Sequence, residues 1–258
     1  MTIKKMPVLF VSHGSPMLAI DSKNGSALTQ WGDNLPKPKA ILVFSAHWET
    51  NTLAFGQTSD HHNLVYDFGG FPKALYEIQY PAPGAAKLVE PIANLLKEKY
   101  EILFSKRGLD HGVWVPFLHM WPKADVPILQ MTMPYSFSNQ ELLDLGKKLS
   151  PLREQGILIT TNGTLTHNLR EWNPRHTGTT EEWALEFDLW TQQALENNDI
   201  DSLLNWEQQA PHAKRNHPTP EHFRPLLIAL GAANNDAASF PIEGFDYGIF
   251  SKRSVQFG

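Results

Sequence analysis

The feature that most constrains the fold is a set of short, uninterrupted apolar runs. They span Val8–Ser12 and residues 41–46, 126–132 and 157–161, and β-branched side chains are frequent in them. A strand with one face in water would carry a polar residue at every second position, because successive side chains point to opposite faces. Runs without that alternation are typical of strands that are covered on both faces of a parallel sheet.

Helical patterns lie between and after these runs. Ser138 with Glu141, and Thr179 with Glu182, match the capping box that begins a helix. Apolar residues at helical spacing follow each of the two pairs. Two helices are therefore predicted to begin at these positions.

Prolines mark two further helices. Thr219 followed by Pro220 is typical of an N-cap and a first helical turn. Pro91 must either kink the helical pattern over residues 85–100 or mark a later start. Strands that alternate with helices predict an α/β fold with a mostly parallel central sheet flanked by helices. We expect one catalytic domain over residues 1–258.

Composition excludes several classes of protein and of site. The chain contains no cysteine, so thiolate nucleophiles and cysteine-bound metals are excluded, and a metal must be held by nitrogen and oxygen. The net charge is −5 and no basic cluster stands out, which argues against nucleic acid as a partner. No apolar run is long enough to cross a membrane, and the run at Val8 is too short for a signal peptide, so we expect a cytoplasmic protein.

Histidines close three of the predicted strands. His13 follows the first run directly, His47 follows the second, and His167 lies shortly after the fourth. The carboxyl ends of parallel strands are where α/β proteins bind ligands. Each histidine could instead cap its strand by hydrogen bonding, but the pair His13 and His47 favours a shared site. Neutral imidazoles leave a bound divalent cation its full charge, and a further histidine can act as a base near neutral pH.

The other histidines are assigned by their local sequence. His222 falls in the first turn of the helix predicted at Thr219. His111 lies at a turn beside Asp110 and is either a site residue or a turn residue that Asp110 stabilises. His61 and His62 lie in residues 50–83, an irregular stretch whose length is typical of a lid or binding segment. His119 is predicted to be packed in a helix. Solvent exposure is predicted for the histidines of polar segments: His176, His212 and His217.

Common catalytic motifs of other classes are absent from the sequence. It contains no glycine-rich dinucleotide or phosphate-binding loop and no His-Glu-x-x-His metal motif. Ser15 does not lie in a nucleophile elbow, because Pro16 follows it and His13 precedes the glycine. Ser12 stands where histidine phosphatases carry an arginine before a His-Gly pair. Serine hydrolases and histidine phosphatases are thus disfavoured.

Taken together, the segments resemble the 4,5-DOPA dioxygenase extradiol family. This family belongs to the class III extradiol ring-cleavage superfamily, whose type member is the protocatechuate 4,5-dioxygenase β subunit. The resemblance runs in order along nearly the whole chain. The matching segments begin with His13-Gly14-Ser15-Pro16-Met17, Ser45-Ala46-His47-Trp48, Tyr66-Asp67-Phe68-Gly69-Gly70-Phe71-Pro72 and Tyr80-Pro81-Ala82-Pro83-Gly84, and continue with Asp110-His111-Gly112, Thr166-His167-Asn168-Leu169 and Pro218-Thr219-Pro220-Glu221-His222.

The resemblance implies a role for each of five histidines. His13, His47 and His222 would bind the metal, and His167 would be the catalytic histidine or a fourth ligand. His111 would be the second active-site histidine, which helps to bind substrate or dioxygen. The wider superfamily has a glutamate as its third ligand. The DOPA-type branch has a histidine in that place. Glu221 and His222 are adjacent, and adjacent helical residues point about 100° apart, so only one of them can easily face the metal, and we choose His222.

The resemblance also implies the reaction. Fe(II) is expected in the active enzyme, with zinc possible after purification, because histidine sites bind zinc readily. The substrates would be a DOPA-like catechol and dioxygen, and the product a muconic semialdehyde. Phe68, Phe71 and Trp48 could line the pocket for the ring. A metal-dependent hydrolase and a non-enzymatic binding protein of the Memo type are the alternatives.

Overall fold

Strands and helices alternate along the first two thirds of the chain, in a computed structural model that describes residues 5–176 and 178–258. The strands are β1 (Val8–Ser12), β2 (Ala40–Thr50), β3 (Leu53–Phe55), β4 (Ile102–Phe104), β5 (Ile128–Pro134), β6 (Ile157–Gly163), β7 (Ala238–Ile242), β8 (Phe245–Asp246), β9 (Phe250–Ser251) and β10 (Ser254–Phe257). The α-helices are α1 (Ser22–Asn34), α2 (Val89–Leu96), α3 (His111–Met120), α4 (Asn139–Leu149), α5 (Glu182–Glu196), α6 (Ile200–Leu204), α7 (Trp206–Gln209), α8 (Ala213–Asn216) and α9 (Pro225–Ala233).

Eight of these strands form one sheet, in the order β4-β3-β5-β2-β6-β1-β10-β7. The central pairs β5–β2, β2–β6 and β6–β1 are parallel, whereas β10 and β7 extend the sheet with antiparallel pairs. The predicted α/β fold with a mostly parallel central sheet is therefore confirmed. Parallel pairing also brings the carboxyl ends of β1, β2 and β6 to the same edge of the sheet.

Helices cover both faces of the sheet. On one face, Phe10 and Phe44 pack with apolar residues of α2, α4, α5 and α9. On the other face, Leu9 and Ile41 pack with residues of α1 and α3. Adjacent residues of the same strand thus enter opposite cores, which explains why the strands are apolar without alternation. No helix among the described residues is long and apolar enough to cross a membrane.

The predicted helix starts are confirmed in part. Ser138 and Glu141 form a capping box at the start of α4. The box predicted at Thr179 is wrong, because α5 begins at Glu182 and the backbone N–H of its N-cap residue Glu181 donates to the carbonyl of Gly248. Pro91 lies in the first turn of α2, where a missing N–H costs nothing.

The start predicted at Thr219 is also wrong. Helix α9 begins at Pro225, and the Thr219 hydroxyl donates to the carboxylate of Glu221 instead of capping a helix. Residues 221–224 form a turn ahead of α9, so His222 lies in that turn and not in the helix.

Helices α4 and α9 cross at glycine, and this crossing seats the helix that follows His222. A methyl group added at Gly231 would collide with the backbone carbonyl of Leu143 in α4. The two backbones are in contact, so neither helix can shift without disturbing the core that both share.

We expect Gly231→Ala to lower the free energy of unfolding by about 1–3 kcal/mol, the usual cost of overpacking a core. Gly69→Ala is the matched control, because a methyl group there meets nothing within 4 Å. Chemical denaturation of both variants checks the prediction. Equal stability of the two variants would contradict the close crossing.

Candidate metal centre

Three histidines from distant parts of the chain meet at the carboxyl edge of the sheet. His13 follows β1 directly, His47 lies near the end of β2, and His222 lies in the turn before α9. One ring nitrogen of each lies within 4.8 Å of the others. The Nε2 atoms of His13 and His47 are 3.2 Å apart. Two nitrogens bound to one metal at about 2.1 Å lie roughly 3.0–3.4 Å apart, so this spacing fits a shared ion.

The ring nitrogen of the third histidine, His222, tests whether an ion fits between the rings. Nε2 of His222 is buried and has no hydrogen-bond partner among the described residues. A buried polar atom without a partner costs about 1–3 kcal/mol. A metal ion between the three rings would satisfy it. The donor set of imidazole nitrogens suits iron or zinc.

Oxygen atoms face the opposite ring nitrogens, and in two of the three histidines they accept a hydrogen bond. Nδ1 of His13 donates to the carbonyl of Gly14 at 2.8 Å, and Nδ1 of His222 donates to the Glu221 carboxylate at 3.0 Å. Nδ1 of His47 lies 3.5 Å from Oδ2 of Asp67. A proton on each Nδ1 leaves the lone pair on Nε2, the nitrogen that faces the other two rings. Such outer partners orient ligand histidines in known metal sites.

Burial keeps these histidines neutral. Burial, together with the charge of His111, lowers the pKa of His13 to about 3. The pKa values of His47 and His222 are also lowered well below the usual value, again mainly by burial and then by neighbouring histidines. Neutral imidazoles have a free lone pair, so the three rings are ready to bind a cation at neutral pH.

His167 stacks on His222. The two ring centroids are 3.5 Å apart with an interplanar angle of 11°. The backbone N–H of His167 donates to the carbonyl of Asn216, which fixes the chain after β6. Burial and the charge of His111 lower the pKa of His167 to about 4. A ring nitrogen of His167 approaches Glu221 and His222, but does not join the close group that His222 forms with His13 and His47.

His111 completes the cluster from the other side. Its ring centroid lies 4.0 Å from that of His47 and 5.5 Å from that of His13. It is the first residue of α3, and its Nδ1 donates to Asp67 at 2.8 Å. All five histidines selected from the sequence therefore lie together.

The turn that carries His222 is tied to the sheet at several points. The backbone N–H of Thr164, just after β6, donates to the carbonyl of His222 at 3.1 Å. A methyl group at Gly163 would strike that carbonyl, so only glycine allows this approach. Arg224 forms an ion pair with Glu49 at 2.9 Å and donates to the carbonyl of Pro134. These contacts join the turn to the ends of β2, β5 and β6.

The prediction that His217 is exposed is wrong. His217 is buried, not exposed, because its Nε2 donates to the carbonyl of Leu165 and Phe187 and Trp206 pack around its ring. Trp48 packs against Gly56 beneath the guanidinium of Arg107, and its place in the pocket for the ring stays a prediction.

The packing predicted for His119 is confirmed, whereas the pocket predicted at Phe68 and Phe71 stays a prediction. His119 is packed, with Nε2 donating to the carbonyl of Leu18. Phe68 lies beside His111, with ring centroids 5.6 Å apart, and contacts Phe71.

Sequence reasoning gave no functional role to Asp67 or to the buried pair Asp110 and Ser45, and Asp110 was considered only as a residue that stabilises the turn at His111. The Ser45 hydroxyl donates to Asp110 at 2.8 Å, and burial raises the pKa of Asp110. Asp67 lies in the irregular segment, where no periodicity marks which side chain turns inward. The available signal was its place next to aromatic residues in a segment otherwise too long for a simple connection.

Known proteins match the chain over nearly its full length. A family model described as the catalytic LigB subunit of aromatic ring-opening dioxygenase matches residues 7–258. A Beta vulgaris protein named 4,5-DOPA dioxygenase extradiol is 41% identical over 96% of this chain and 95% of its own length. A protein of the same name from Escherichia coli (strain K12) is 35% identical over 100% of this chain and 97% of its own length.

A solved structure has the same fold. The crystal structure of an uncharacterized protein from Escherichia coli K12 superposes with a TM-score of 0.83 at 31% identity. The match covers 98% of this chain and 100% of the other. It therefore includes the whole sheet and the edge at which the histidines meet.

Zinc should stabilise the protein through the three converging nitrogens. At a free zinc concentration a thousandfold above Kd, we expect the free energy of unfolding to rise by about 4 kcal/mol. His222→Ala should lose most of this response, whereas His62→Ala, which removes an exposed histidine, should keep it. Denaturation with and without zinc measures the effect. A full zinc response in His222→Ala would contradict the site.

Acid should destabilise the metal-free protein in part through His217. Burial lowers the pKa of His217 to about 3, whereas the unfolded chain binds this proton near pH 6.5. The contribution of neutral His217 to the free energy of unfolding is therefore fully present above pH 6.5. It is lost as the pH falls from 6.5 towards 3, by about 1.4 kcal/mol per pH unit.

His217→Gln keeps a donor for the carbonyl of Leu165 but cannot take up a proton. We expect its unfolding free energy to fall less steeply than that of the unsubstituted protein between pH 6 and pH 4. Identical pH slopes for the two proteins would contradict a neutral, buried His217.

Proposed function

Because this chain belongs to the family of the catalytic LigB subunit of aromatic ring-opening dioxygenase, we propose that it opens a catechol ring with dioxygen at a metal held by His13, His47 and His222. The observation that carries the proposal is the convergence of three neutral imidazoles, one with a buried and unpartnered Nε2. We further propose Fe(II) as the active metal. Zinc has no redox chemistry, so zinc in this site would bind substrate without turnover.

The bound metal supplies two things: a positive charge that lowers the pKa of a catechol hydroxyl, and a path for electrons from the ring to dioxygen. Three protein ligands on one side of an ion leave positions for both substrates. All other steps fall to the residues of this chain. Burial keeps the three histidines neutral, and neutral ligands would leave the ion its full positive charge.

His167 is proposed as the base that takes a proton from a catechol hydroxyl oxygen. Its lowered pKa, caused mainly by burial, keeps a ring nitrogen free to accept that proton. Stacking on His222 holds its ring next to a metal ligand. We keep open its second role as a fourth ligand, because the two roles use the same ring.

His111 is proposed to hold the substrate or dioxygen on the opposite side of the centre. Phe68 lies beside it and Phe71 contacts Phe68; both would contact the aromatic ring, since edge-to-face packing favours aromatic pairs. Oxygen insertion next to the two hydroxyl groups would give a muconic semialdehyde that contains both atoms of dioxygen. The names of the relatives support a DOPA-like catechol as substrate.

Reconstitution with iron tests this proposal. The protein is loaded with Fe(II) without oxygen, mixed with DOPA or with simpler catechols, and then exposed to air. We expect dioxygen uptake together with a yellow semialdehyde, and no product without oxygen. His167→Ala should keep iron but lose about 10²–10⁴-fold in turnover, the usual contribution of a positioned base.

His62→Ala is the control, because it removes an exposed histidine of the irregular segment. It should turn over at the unsubstituted rate. Product formed without oxygen would instead favour a metal-dependent hydrolase, and full activity of His167→Ala would overturn the role of that residue.

A further inference from the structure

Asp67 contacts two histidines of the cluster at once. Its Oδ1 accepts from the backbone N–H of His111 at 3.1 Å and from the Nδ1 of the same residue at 2.8 Å. Its Oδ2 lies 3.5 Å from the Nδ1 of His47. One carboxylate therefore joins a proposed metal ligand to the proposed substrate-binding histidine.

The position of Asp67 is fixed by its neighbours in the chain. The backbone N–H of Val65 donates to the carbonyl of Leu109, and the indole of Trp114 donates to the carbonyl of Val65. The hydroxyl of Tyr66 donates to the carbonyl of Ile78 at 2.7 Å. The irregular segment is thus tied to the start of α3 immediately before Asp67.

The contacts determine where the proton of His111 lies. An ionised carboxylate only accepts hydrogen bonds, so Nδ1 of His111 must carry a proton. In the neutral ring Nε2 is then an acceptor, and the structure gives this atom no hydrogen-bond partner among the described residues. A catechol hydroxyl is a donor that matches it.

We infer that Asp67 is a positioning residue, which fixes His111 as a hydrogen-bond acceptor for a catechol hydroxyl and orients His47 towards the metal. The inference rests on the proposed function for the identity of the ligand. The hydrogen bonds of Asp67 do not depend on it.

The two contacts of Asp67 can be separated by substitution. In Asp67→Asn the amide oxygen still accepts both hydrogen bonds from His111, but an NH₂ group replaces Oδ2 and faces the Nδ1–H of His47. The contact with His111 survives, while the contact with His47 becomes one between two donors. Asp67→Ala removes both contacts. Asp60→Asn is the matched control, because it makes the same change in the same irregular segment.

The first measurement uses the metal-free protein. Long-range proton–nitrogen NMR reports which ring nitrogen of His111 is protonated. We expect the Nδ1–H form in the unsubstituted protein, in Asp67→Asn and in Asp60→Asn, and its loss in Asp67→Ala. The Nε2–H form in the unsubstituted protein, or no change in Asp67→Ala, would overturn the inference.

The second measurement uses zinc, which allows binding without turnover. Calorimetry should show metal affinity reduced about tenfold or more in Asp67→Asn and Asp67→Ala, the usual loss when the outer partner of a ligand histidine is removed. At saturating zinc, affinity for catechol should be kept in Asp67→Asn and reduced about tenfold in Asp67→Ala, where the acceptor is no longer aligned.

A double substitution shows whether Asp67 acts through His111. In a His111→Gln background, Asp67→Ala should cause no further loss of catechol affinity, because the residue it positions is gone. Additive losses would instead indicate a general structural role and overturn the inference. If the unsubstituted zinc-loaded protein binds no catechol, the proposed function fails, while NMR and metal affinity still decide the role of Asp67.

Discussion

The parallel pairing of β1, β2 and β6 is the constraint on which the rest of the site depends. Strands that run in the same direction end at the same edge, so residues more than a hundred positions apart in sequence can share one ion. His13 and His47 are placed directly by this pairing. His222 comes from a turn that hydrogen bonds and an ion pair hold against the ends of β2, β5 and β6. The position of each proposed ligand is therefore set by contacts with the sheet.

Electrostatics explains why imidazoles and carboxylates occupy different positions around the centre. Burial and mutual repulsion lower the pKa values of His13, His47, His167 and His222, because charged rings close together repel one another where little water screens them. The carboxylate of Glu221 accepts from Nδ1 of His222, and a carboxylate oxygen of Asp67 lies 3.5 Å from Nδ1 of His47. Their negative charges lie near the site, while the nitrogens that converge belong to neutral histidines. The three rings are therefore better suited to bind a divalent cation than to take up protons.

The irregular segment between β3 and α2 reaches the site through Asp67. It contributes Asp67 and the aromatic residues next to it, and it is anchored to α3 by backbone hydrogen bonds. The proposed catalytic groups therefore come from two separate parts of the fold. The sheet edge provides the proposed metal ligands and the proposed base, and the segment with α3 provides the contacts proposed for the substrate.

The sequence by itself determined the fold class and the chemistry of the ligands. Apolar runs without alternation predicted strands buried on both faces, histidines at the strand ends predicted a shared site, and the absence of cysteine limited the ligands to nitrogen and oxygen. Only the tertiary structure decided that Asp67 turns towards His47, that Glu221 supports the ring of His222, and that His217 is buried. It also moved the start of α9 from Thr219 to Pro225. The physical reason is that these features depend on contacts between distant segments, whereas periodicity and capping patterns report only on neighbours along the chain.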